Sequence, residues 1–187
     1  HHQHRKRQMR TRRIIPADML PRNGTSAGTT TDTRTTGLPP TGISAQYLIW
    51  PATVAAELEV TIEITTLGNE PNRVYYLAVP DIIDNNGTSL AQPPFGLHWN
   101  PQFPNGRAIY WGGVLKATGA VLNGTTSTLP SSINSDSHRN YTWQNNRIYR
   151  YRIWSPTPGT WRGDITDTVT NTTTTVRDLS VPGSTQL

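Results

Sequence analysis

In the segment AELEVTIEITTL, residues 56–67, apolar and polar side chains alternate without a break. Leu58, Val60, Ile62 and Ile64 fall on one side; Glu57, Glu59, Thr61, Glu63 and Thr65 fall on the other. A period of two carried largely by β-branched residues marks a strand with one buried face. The same reading fits RVYYLAVP (73–80), PFGLHW (94–99), RAIYWGGVL (107–115), RIYRYRIW (147–154), GTWRGDIT (159–166) and TTTVRDLSV (173–181). Between them stand turn formers: GNEPN, DNNGTS, NPQFPNG, SPTPG and DTVTN. No segment holds a 3.6-residue period with caps, so no helix longer than a turn is expected.

Seven short strands in a chain of 187 residues predict an all-β fold, a single antiparallel β-sandwich of jelly-roll type, spanning residues 46–182 with a short tail at 183–187. Two stretches stand outside the pattern. Residues 1–45 are rich in Thr, Gly, Pro and Arg and are expected to form an extended or disordered arm. Residues 116–146 are polar, with a weak strand signal at Ala120–Leu122; a loop of that length is the first place to look for a site.

Charge sharpens the division between arm and body. The net charge is +5, but Arg5, Lys6, Arg7, Arg10, Arg12 and Arg13 supply six cations without an intervening acid. Without them, eleven basic residues face twelve acidic ones, so the basicity belongs to the arm. Such a terminus ahead of a sandwich suits a self-assembling subunit of a surface layer, filament or capsid, whose arm crosses to a neighbour or contacts nucleic acid. A linker or processing site is the plainer reading. His1–Arg13 has no apolar run behind it, so the expectation is a chain that begins after a processing site or inside a longer polypeptide. With no cysteine, disulfides and Cys-ligated zinc are excluded, and no apolar run is long enough for a membrane helix.

Candidate chemistry is sparse. Glu57 and Glu59 on one strand face invite comparison with the paired carboxylates of retaining glycosidases, but alternation explains them as a solvated face. No nucleophile elbow or metalloprotease motif is present, so no catalytic residue is assigned. Asp81, Asp84, Asn85 and Asn86 make an oxygen-rich loop able to hold calcium, yet turn chemistry accounts for it equally, and no cofactor is expected. Five Asn-x-Ser/Thr sequons, at Asn23, Asn86, Asn123, Asn140 and Asn171, suit a glycosylated surface.

Aromatics carry more. Six tryptophans accompany seven tyrosines. Most should be core, but Trp143 lies in the polar NYTWQNN stretch, where an indole face suits a pyranose ring and amides suit its hydroxyls. Trp99, Trp111, Trp143 and Trp161 are therefore candidate platforms, with Asn145, Asn146 and Arg150 as polar partners.

In order, RVYYLAVPDI, PFGLHWNPQFPNGRAIYWGG and NNRIYRYRIWSPTPGTWRGDITDTVTNTTTTVRDL resemble the DUF3472-type domains of bacterial secreted proteins, themselves similar to concanavalin-like lectin folds. The matching residues are Tyr75, Tyr76, Phe95, Gly96, Trp111, Tyr149, Tyr151, Trp161, Gly163, Ile165 and Asp167, within residues 46–180. At 109–113 the chain reads IYWGG where that family carries an acid. The resemblance implies a secreted or cell-surface, non-catalytic module binding a glycan or cell-surface polysaccharide; it supplies no catalytic residue.

Overall fold

A computed structural model describes residues 10–14, 56–64, 73–125 and 127–187. The described chain is all-β apart from a single 3-10 turn at Pro104–Gly106. One sheet contains β1 (Arg10–Ile14), β2 (Glu57–Ile64), β10 (Arg147–Thr157), β11 (Thr160–Asp167) and β12 (Thr172–Ser180), in that order. The second orders β3 (Val74–Ala78), β6 (Phe95–Trp99), β7 (Arg107–Trp111), β9 (Ser135–Asn140) and β8 (Ser131–Ser132). A small ribbon pairs β4 (Ile82–Ile83) with β5 (Ser89–Ala91). All pairings are antiparallel except β1 with β2, which is parallel.

The period-two pattern decides which faces meet. Leu58, Val60, Ile62 and Ile64 are buried, as are Tyr149, Tyr151 and Ile153 on the neighbouring strand. From the second sheet Tyr76, Ala78, Phe95, Leu97, Ile109 and Trp111 join the same core. The sheets are bolted together by Tyr151, which reaches across from β10. Its hydroxyl accepts the Leu97 N–H at 2.9 Å and donates to the Tyr76 carbonyl at 2.9 Å. Tyr76 and Leu97 are register partners on β3 and β6, so the hydroxyl stands between two groups that a regular ladder would join directly. Gly96 makes room for it, because a Cβ there would overlap the Tyr76 carbonyl and press on the Tyr151 ring. Burial pushes the Tyr151 phenol far above its ordinary pKa, so it stays a donor.

Three departures from the sequence reading have physical causes. The polar stretch after Lys116 contains β8 and β9, whose Ser, Asp, His, Arg and Asn carry almost no hydrophobic signal. The short ribbon β4–β5 is likewise too brief for periodicity to reveal. Residues 183–187, expected as a tail, are docked: the Ile83 N–H donates to the Gln186 carbonyl at 2.9 Å, and Ser184 is buried beneath the Trp161 indole.

Candidate functional site

Three of the four expected platforms do not face solvent. Trp111, Trp143 and Trp161 are fully buried, and each indole N–H is consumed inside: on the Trp161 carbonyl, the His98 carbonyl and the Ser184 hydroxyl respectively. Trp143 comes from a polar stretch, yet that stretch folds its one large apolar group inward against Tyr76, with the Arg107 guanidinium 4.8 Å from its ring. This corrects their assignment as sugar platforms: a buried ring with a satisfied N–H has no face to offer. Trp99 is half-buried, covered by Gly106 and 5.2 Å from the same guanidinium. Asn145 has its side-chain carbonyl buried without a partner, and Asn146 supplies a left-handed turn residue (φ 59°) leading into β10. Arg150 lies on the outer face of the first sheet, 3.3 Å from Glu59. Arg5, Lys6 and Arg7 of the basic arm, and Trp50, lie outside the described residues; Arg10, Arg12 and Arg13 fall within β1, whose side chains are likewise outside the description.

The loop at 81–89 is held by turn hydrogen bonds. The Asp84 carboxylate accepts the N–H groups of Asn86 and Thr88, both at 2.9 Å, and Asp81 accepts from Ser89. Among the described residues no cluster of three His, Asp, Glu or Cys is placed to hold a metal.

A built polar surface lies instead on the outer face of the first sheet. There Glu57 receives Arg152 at 2.8 Å, and the Arg152 guanidinium lies 4.2 Å from the Trp154 ring. Trp154 donates its indole N–H to Asp164 at 2.8 Å, and Thr175 donates to the other oxygen at 2.7 Å. Arg162, 5.3 Å from the same ring, grips Asp178 on both carboxylate oxygens at 2.8 and 3.0 Å. The alternation that buries Tyr149, Tyr151 and Ile153 turns Arg150, Arg152 and Trp154 outward, as the sequence predicts.

This face leads into a groove of about 450 Å³ at the sheet edge. Its cause is a broken pairing. The 123–125 segment lies along the C-terminal half of β12: the Thr125 N–H donates to the Asp178 carbonyl at 2.9 Å, and the Ser180 N–H to the Asn123 carbonyl at 2.8 Å. Beyond Thr125, no backbone bond joins the two among the described residues. The opening is walled by Thr125, Ser127 and Thr128 on one side and by Thr173, Thr174 and Thr175 on the other, with Arg162, Val176, Arg177 and Asp178 completing it. Val176 marks a bulge: Gly163 pairs with Arg177 but Asp164 with Thr175, so Arg177 turns inward beside Val176. Of the sequence-predicted site residues, only Arg150 is known to share the groove's sheet face, in register with Thr166 and, through it, Thr173. The wall does come from the 116–146 stretch singled out as a loop, and the TTTTVRDL run that lines the floor signalled only a strand.

A second cluster covers the outer face of the other sheet. His98 is enclosed by Tyr75, Phe103, stacked Tyr110 and His138. Neither ring nitrogen has a hydrogen-bond partner, and burial, reinforced by the charges of His138 and Arg73, holds its pKa down at about 3. Burial without a hydrogen-bond partner favours the neutral imidazole, which packs among these rings.

Comparison with protein-family models, curated proteins and solved structures returns no match to this chain.

Proposed function

We propose that this protein is a non-catalytic glycan-binding module of a secreted or cell-surface protein, with the β12 groove as its site. The observation that carries the reading is the groove's lining: six Thr or Ser residues and one Arg–Asp pair around an open space large enough for one or two sugar rings. Hydroxyls, a carboxylate and a guanidinium match the donors and acceptors of a saccharide, and Trp154 borders them through Arg162. Hydrolysis by the usual route needs two carboxylates about 5–9.5 Å apart, whereas the lining supplies Asp178, already gripped by Arg162.

A glycan array followed by calorimetry on the strongest hit tests it. Asp178→Ala and Thr128→Ala should each weaken binding by about tenfold, roughly 1.4 kcal/mol. Wild-type affinity in both variants, or no glycan bound at all, defeats the proposal.

One observation favours a second reading, a self-assembling structural subunit of capsid-like layout. β1 adds a parallel strand to the free edge of β2 through backbone pairing that a neighbour's arm can make equally well. Light scattering on the full chain and on a chain starting at Ser44 distinguishes them: a large particle that collapses to monomers on truncation supports assembly, and monomers in both cases exclude it.

A further inference from the structure

The groove holds more positive than negative charge, and one of its cations lacks a carboxylate. Arg162 is neutralised by Asp178. Arg177 is only 5% exposed. Its Nη1 makes two long contacts of 3.4 Å, to the Trp111 carbonyl and the Ser137 hydroxyl. Its Nε is buried with no hydrogen-bond partner. Among the described residues no Asp or Glu forms an ion pair with Arg177. Asp136, the nearby acid, is exposed and turned toward Arg139 at 3.9 Å. Arg139 is itself buried and close enough for its charge to add to the effect of burial in lowering the Arg177 pKa.

Burying a guanidinium without a counter-charge is strongly disfavoured, so a fold that retains one invites an external anion. The field of such a charge is poorly screened inside the protein and is felt most in the nearest opening. Arg177 is one of the residues that line the groove. The guanidinium lies against the backbone of Gly124, where any Cβ would overlap it, and Thr125 beside it forms the groove wall.

We infer that the saccharide taken by this groove is anionic, with a carboxylate or sulfate ester held at the Arg177 end and the sugar hydroxyls on Thr125, Thr173 and Thr175. The inference rests on the glycan reading of the groove and names its ligand class.

The experiment compares matched neutral, uronic-acid and sulfate-bearing oligosaccharides on one array. Hits are measured by calorimetry at low and high salt, for the wild type and for Arg177→Met with its fold checked by circular dichroism. The wild type should prefer one anionic set by at least about tenfold, a preference that shrinks with salt and vanishes in Arg177→Met. Preference for the uronate set assigns a carboxylate, and preference for the sulfated set assigns a sulfate ester. Equal affinity for all three sets overturns the inference and leaves the glycan reading standing. No binding to any set overturns both. An anionic preference that survives in Arg177→Met overturns the assignment to that residue. If Arg177→Met does not fold, the Nε–H resonance of Arg177 in the wild type decides: it should move on titration with the anionic hit and stay still with its neutral counterpart. An unmoved resonance refutes the proposal.

Discussion

Replacing Tyr151 with Phe removes one oxygen from the centre of the molecule and leaves the ring in place. The ring's edge contact with Phe95, centroids 5.1 Å apart, survives, so no cavity larger than a hydroxyl is made. Two hydrogen bonds of 2.9 Å are lost, and both former partners are backbone groups in a dry interface. The Tyr76 carbonyl keeps a second lone pair, but the Leu97 N–H is left with nothing to donate to. A stranded buried donor costs about 1–3 kcal/mol, and the lost bond to the carbonyl adds roughly 0.5–1 kcal/mol, giving an expected loss near 2–3 kcal/mol. At this chain length that corresponds to a fall in Tm of about 5–10 °C. Urea denaturation, analysed at constant m-value, measures it. Tyr149→Phe is the control: its hydroxyl accepts the Gln144 N–H at 2.8 Å beside half-buried polar groups where water can substitute, and it should lose less than about 1 kcal/mol. If Tyr151→Phe loses under about 0.5 kcal/mol, β3 and β6 have closed directly onto each other, and the hydroxyl is a spacer rather than a tie.

Asp164→Asn should destabilise by about 1–2 kcal/mol in thermal denaturation, because two donors, Trp154 Nε1 and Thr175 Oγ1, then compete for a single amide oxygen. Acidification should weaken the fold through His98. Its folded pKa, about 3, lies below the unfolded 6.5, so the unfolded chain binds the extra proton and stability falls between those limits. The slope approaches roughly 1.4 kcal/mol per pH unit at mid-window, and urea titrations of His98→Phe should lose that part of it. Gly96→Ala should fail to reach the native near-ultraviolet spectrum, since its methyl group overlaps the Tyr76 carbonyl and crowds the Tyr151 ring.

Seven strands were legible in the sequence because a sheet with one wet face writes a period of two. From Leu58–Ile64 and Tyr149–Ile153 alone, the buried and exposed faces follow, and with them the outward placement of Arg150, Arg152 and Trp154. What alternation cannot encode is which strands become neighbours or what covers the outer faces. His98 falls on the outward side of β6, yet is buried because Tyr75, Phe103, Tyr110 and His138 converge on it from other segments. Trp143 sits among amides in sequence and in the core in space, since a single indole gains more from burial than its polar neighbours lose by staying at the surface. The groove itself is a tertiary product. Thr125 and Asp178 are brought together by pairing across more than fifty residues, and the opening exists only where that pairing stops. Local periodicity determined the seven alternating strands and their faces, while the polar β8 and β9 and the short β4–β5 ribbon emerged only in the fold; long-range closure decided the site, because a gap between two segments is a property of neither.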